Sequence, residues 1–202
     1  MYYKDKLDSI KDIFGVEEIK YEEDAIMIGD KSFPIINDVI ILLDTSDFSN
    51  YLNKKVSNDG FYKDNNKIAK DIQFTFGEEW KKYNKVLPEH KNEFNNYFDL
   101  IKIDELANKR VCDLGCGIGR WAYFLHKNVR EMILIDFSDA IFEARKNLIN
   151  SKNTLFFMGD LKRLPFKNNF ADFLYCIGVL HHLPTPAIES APSERGSNVL
   201  SL

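Results

Sequence analysis

From Arg110 onward the sequence turns into short apolar runs that alternate with helical segments, and this alternation constrains the fold more than any other feature. Strand, helix, strand in succession is the pattern of a doubly wound parallel sheet. Val111–Leu114 reads as a first strand, Trp121–Lys127 as a helix and Met132–Ile135 as a second strand. Ser138 is placed to cap the next helix, whose Ile141, Ala144 and Leu148 share one face. Thr154–Met158 then makes a third strand and Phe170–Ile177 a fourth.

Upstream, residues 1–44 mix short helical and extended patterns. Asn37-Asp38 between the apolar runs FPII and VII is a turn signal, so a small hairpin-containing α+β module is expected there. Residues 45–105 are rich in Asn, Lys and aromatics. Phe74, Phe76, Trp80, Tyr83, Phe94, Tyr97 and Phe98 suit amphipathic helices that either brace the sheet or cap a pocket, with Phe76-Gly77 as a hinge and Trp80 as a wall.

With 45% apolar residues in 202, the chain can bury one α/β core. A formal net charge of −4 leaves no excess of cations for phosphates, so no nucleic-acid partner is expected. The N-terminus lacks an apolar leader and Val39–Leu43 is too short to span a bilayer, so the expectation is a cytoplasmic protein without membrane contact. Cys112, Cys116 and Cys176 are too few for a disulfide framework and fall in strands or the glycine turn, where they should be reduced and buried. A structural zinc needs about four ligands, and no second Cys or His pair stands near Cys112 and Cys116, so no metal is expected.

Gly115, Gly117 and Gly119 follow the first strand and open a helix, where a backbone turns sharply and approaches a ligand. Gly117 and Gly119, with Ala122, also satisfy the G-x-G-x-x-G/A pattern of dinucleotide-binding proteins, and a ligand-free structural turn is a further reading. Asp113, just before them, would face a pyrophosphate unfavourably and suits a cationic ligand. Asp136, at the end of the second strand, can accept ribose hydroxyls or simply cap the next helix. Asp160, after the third strand, can accept from an adenine amino group. These features meet at the carboxyl edge of the sheet, where open α/β folds bind ligands.

The segments VCDLGCGIGR, ILIDFSDA, MGDLKRLPF and FADFLYCIGVLHHLP resemble, in order and spacing, the motifs of class I S-adenosylmethionine (SAM) dependent methyltransferases, closest to the branch that acts on small molecules. The likeness covers roughly Leu106 to Pro184. It implies a Rossmann-like core over 106–184, SAM as cofactor and a small-molecule methyl acceptor as partner. By resemblance, Asp113, Gly115, Gly117 and Gly119, with Cys116 between them, hold the methionine part of SAM. Asp136 then takes the ribose, Phe137 an adenine face, and Asp160 with Leu161 the adenine edge, while Ile177 and Gly178 line the pocket. His181 and His182 stand where one of them could take a proton from the acceptor, or merely fill the wall.

Past Leu183 the composition becomes Pro, Ser and Ala-rich and loses its Lys. The resemblance calls for three further strands after the fourth, so the reading is a core truncated or frame-shifted after strand 4, with that strand an exposed edge and 185–202 a disordered tail. Two rival functions follow: an NAD(P)-binding oxidoreductase domain, on the glycine pattern and Asp136, and a catalytically silent SAM-binding fragment, on the missing strands.

Overall fold

A computed structural model describes residues 1–22, 24–48, 52, 84–178 and 198–201. Its strands are β1 (Lys20–Tyr21), β2 (Ala25–Ile28), β3 (Lys31–Ile36), β4 (Val39–Ile41), β5 (Arg110–Leu114), β6 (Glu131–Asp136), β7 (Thr154–Met158), β8 (Phe173–Cys176) and β9 (Asn198–Ser201). Its α-helices are α1 (Leu7–Phe14), α2 (His90–Tyr97), α3 (Arg120–Leu125) and α4 (Ala140–Asn147). The strands form one sheet in the order β1-β2-β3-β4-β7-β6-β5-β8-β9.

The centre of that sheet is parallel: β6 pairs β7 and β5, and β5 pairs β8. Parallel strands buried on both faces read as unbroken apolar runs, and every residue of β6 and β7 is buried. Alternate side chains feed two cores. Val111, Leu134, Phe156 and Tyr175 pack with Phe94, Phe98, Trp121, Ile141 and Ala144 on one side. On the other, Cys112, Ile133, Ile135 and Phe157 pack with Ile10, Ile13 and Phe14 of α1. The doubly wound α/β architecture expected from the alternation is therefore the one observed.

The N-terminal strands are antiparallel through β1, β2, β3 and β4, and the expected turn sits at Asn37 and Asp38, both left-handed with φ of 49° and 61°. This segment extends the central sheet, because β4 lies parallel to β7 with Ile40 opposite Phe157. Tyr2, Tyr3 and Arg145 fasten it. The Tyr2 hydroxyl donates to the Thr154 carbonyl (2.7 Å), that of Tyr3 to the Asp38 carbonyl (2.6 Å), and Arg145 lies over the Tyr2 ring while pairing with Asp38 at 2.9 Å.

Three expectations change. Strand 4 is shorter than 170–177, because the Phe170 carbonyl and the Asp172 carboxylate turn to serve Arg110 at 3.0 and 2.7 Å before the ladder begins. The helix expected over Trp121–Lys127 ends at Leu125 and tightens into a 3-10 turn at His126–Asn128. The expectation of an exposed strand 4 and a disordered 185–202 fails at Asn198–Ser201, which pairs with β8 in parallel along Phe173–Cys176. An edge of unpaired N–H and C=O groups is a template for any short extended segment, and four residues of mixed polarity carry no periodic signal of their own. Among the described residues no helix is long and apolar enough to cross a membrane. The three cysteines are free and buried, and no cluster of side chains suited to a metal occurs among the described residues.

Candidate functional site at the glycine turn

The turn between β5 and α3 is made by Gly115, Gly117 and Gly119, with φ of 72°, 52° and 73°, a region open to glycine and strained for other residues. At Gly119 a second constraint applies. A Cβ there would sit 2.8 Å from Leu148 Cδ1 and 3.1 Å from the Ala144 Cβ, so helix α4 can approach the turn only because that side chain is missing. Asn147 of α4 donates from Nδ2 to the Ile118 carbonyl at 3.0 Å and fixes the turn from the same side.

Four N–H groups of this turn are spoken for. Gly115 and Cys116 donate to the Ile135 carbonyl at 2.8 and 3.1 Å, Gly119 to the Cys116 carbonyl at 2.9 Å, and Gly117 to Asp136 Oδ2 at 2.7 Å. A phosphate-binding loop works by aiming free N–H groups at the anion; an anion arriving here finds those four already bonded to the protein. The turn is instead backed by acids.

Asp113 is 1% exposed, and its Oδ2 accepts the Tyr175 hydroxyl at 2.9 Å. Burial pushes its carboxyl up to about 8, the charge of Asp136 adds to that, and the Tyr175 hydrogen bond works against it. Asp136 is buried as well. Its Oδ1 accepts the Ser138 N–H (2.8 Å) and hydroxyl (2.7 Å), and these bonds and that from Gly117 offset a burial that still raises its pKa. The backbone of Asp136 also takes the Gly159 N–H at 3.0 Å, which ties the ends of β6 and β7 together. Desolvation favours the neutral acid, so a cation delivered to this edge finds a carboxyl that gains from ionising.

Asp160 lies at the mouth. Oδ1 accepts the Lys162 N–H at 3.0 Å, and Oδ2 takes Nε of Arg163 at 3.1 Å. Phe137, Leu161 and Ile177 are half-buried along the same edge, Cys116 is buried beneath the turn, and Gly178 is exposed, with φ of 76° and open space where a side chain would stand. The sheet thus brings the residues singled out in the sequence, from Asp113 to Gly178, to one edge. His181 and His182 lie outside the described residues, as do Phe74, Phe76, Gly77, Trp80 and Tyr83.

The sequence reading missed Tyr175, Asn147 and Arg163. Tyr175 stands directly opposite Asp113 in the β5–β8 register, a pairing that strand alternation alone does not reveal. Its ring meets Phe98 edge-on at 5.1 Å, and Phe98 stacks on Phe94 at 4.5 Å, so α2 and its end brace the acid from within the core.

A family model described as a methyltransferase domain matches residues 111–195, a span that begins at β5 and contains the whole glycine turn. Residues 111–195 are thus similar to a methyltransferase domain. Among solved structures, a SAM dependent methyltransferase from Aquifex aeolicus is 23% identical with a TM-score of 0.45, over 55% of this chain and 61% of that one. A phosphoethanolamine N-methyltransferase 1 from Haemonchus contortus, in complex with phosphoethanolamine and S-adenosylhomocysteine, is 25% identical with a TM-score of 0.42, over 58% and 28%. The chain spans less than two thirds of the length of either. No curated protein matches it. The matched span starts after β1–β4, so those strands lie outside it.

Proposed function

We propose that the chain binds SAM at the glycine turn and serves the in-line transfer of its methyl group to an oxygen, nitrogen or carbon nucleophile of a small molecule. One observation carries the reading: four N–H groups of the turn go to the protein's own acceptors, and the turn rests on two buried acids. That arrangement suits a ligand with an ammonium and a sulfonium, toward which a buried carboxyl gains by ionising, and offers a pyrophosphate none of those four donors, which disfavours the dinucleotide alternative. SAM supplies an electrophilic methyl carbon on a positively charged sulfur.

The residues then divide the work of holding and aligning. Asp113, with Gly115, Cys116, Gly117 and Gly119, takes the methionine end. Asp136 keeps the turn closed and offers its remaining acceptor capacity to the ribose hydroxyls. Phe137 covers an adenine face, Asp160 and Leu161 meet its edge, and Ile177 and Gly178 border the reacting end. His181 or His182, just beyond Gly178 in sequence, is the candidate to take the acceptor's proton. Methyl transfer from a sulfonium depends chiefly on in-line alignment, so losing either histidine should slow turnover without stopping it. The same reading takes the protein as cytoplasmic and its partner as a small-molecule acceptor.

Calorimetric titration of the whole chain with SAM, S-adenosylhomocysteine and NADH tests this, with thermal melts to confirm folding. SAM and S-adenosylhomocysteine should bind and NADH should not, and Asp136→Ala should weaken both by about 100-fold, as loss of a charged acceptor implies. A folded chain that ignores both sulfur ligands, or that prefers NADH, overturns the proposal.

A further inference from the structure

We infer that Arg163 is a positioning residue for recognition of the adenine edge, held by two acids that lie outside the methyltransferase domain, so that the N-terminal segment sets how sharply the site senses an adenine amino group. The inference rests on the S-adenosyl reading given above.

The geometry is a three-way clamp. Arg163 donates from Nε to Asp160 at 3.1 Å, from one terminal nitrogen to Asp44 at 3.3 Å and from the other to Asp47 at 2.5 Å. A guanidinium is a planar fork, so three partners fix both its position and its plane. Asp44 and Asp47 belong to the turn that follows β4. Asp47 is buried, and it anchors a guanidinium whose own side chain is half exposed.

The two loops are brought together by the sheet. β4 runs parallel to β7, the Leu42 N–H donates to the Met158 carbonyl at 2.7 Å, and Gly159 faces the Leu42 side chain so closely that a Cβ would stand 3.4 Å from it. Asp160 therefore leaves β7 directly beside the chain that carries Asp44 and Asp47.

The consequence falls on Asp160. A carboxylate has about four acceptor positions. The Lys162 N–H takes one on Oδ1 and the Arg163 Nε one on Oδ2, so each oxygen is pinned at one lone pair and the carboxylate plane cannot turn. An amino group at the adenine edge then meets an acceptor already oriented. A carboxylate free to rotate would bind the ligand while discriminating poorly, because ordering it would offset the gain from the hydrogen bond.

A cluster that merely staples the N-terminal strands would behave differently, since its loss would weaken every ligand alike. Dissociation constants of the whole chain should therefore be measured for S-adenosylhomocysteine and for S-inosylhomocysteine, which carries an oxo group in place of the amino group. Wild type, Arg163→Gln and Asp47→Asn are compared, with Lys102→Gln as a surface control. Wild type and the control should favour the adenine ligand by about tenfold or more, in line with a hydrogen bond to a charged acceptor. Arg163→Gln and Asp47→Asn should bring that preference to within about threefold. An unchanged preference in both variants overturns the inference, even if both ligands bind more weakly. Equal affinity of wild type for the two ligands also overturns it while leaving the S-adenosyl reading intact, whereas wild type that binds neither removes both.

Discussion

The carboxyl ends of β5 and β6 and the N-terminal border of the same sheet hold their acids in different ways. At the carboxyl edge, Asp113 is buried against a neutral hydroxyl and Asp136 against backbone N–H groups and a serine. At the N-terminal border, acids meet cations: Asp38 pairs with Arg145, Asp44 and Asp47 with Arg163, and Asp12 of α1 with Arg110 and Lys167. The first arrangement leaves a carboxyl ready to respond to an incoming charge. The second uses its charges to hold segments together.

That contrast can be broken most forcefully at Asp113. Its pKa is about 8 in the folded chain against 3.8 for a free carboxyl, so the folded protein holds a proton that the unfolded chain releases between those values. The associated stability is present below pH 4, falls as pH rises, and is gone above pH 8, a loss on the order of 5 kcal/mol. Asp113→Asn, which mimics the protonated acid, should therefore gain on wild type steadily from pH 4 to pH 8 in urea unfolding. A constant difference between the two proteins would show that Asp113 is charged in the fold and that the contrast is misplaced.

A smaller effect compares two left-handed glycines. Gly119→Ala combines backbone strain with a contact of 2.8 Å against Leu148 and should cost about 3 kcal/mol. Gly29, between β2 and β3, has φ of 58° and nothing within 4 Å of a Cβ, so Gly29→Ala should cost about 1 kcal/mol of strain alone. Equal losses in denaturant midpoints would mean that α4 moves to make room, and that the parallel half is less tightly packed than the contacts imply.

Much of the parallel half was readable in advance because its strands are apolar on both faces and its site residues follow them directly. Thr154–Met158 matches the third strand residue for residue, and Asn37-Asp38 announced its own turn through two residues that tolerate left-handed backbone. What stayed hidden depends on pairing between distant segments. Nothing local in KSFPII and VII says that Ile40 will lie beside Phe157, or that Arg163 will reach back to Asp47. Tyr175 looked like one more aromatic of a buried strand until the register set it against Asp113. Asn198–Ser201 is too short to show any period.

The docking of β4 against β7 also has a consequence in time. The hydroxyl of Tyr2 ends on a carbonyl 152 residues further along, so β1–β4 find their place in the sheet only after β5, β6 and β7 have been made. Pairings of such sequence separation are slow to close and leave open edges exposed while they wait. Residues 1–44 thus wait, once made, for a sheet that is synthesised after them.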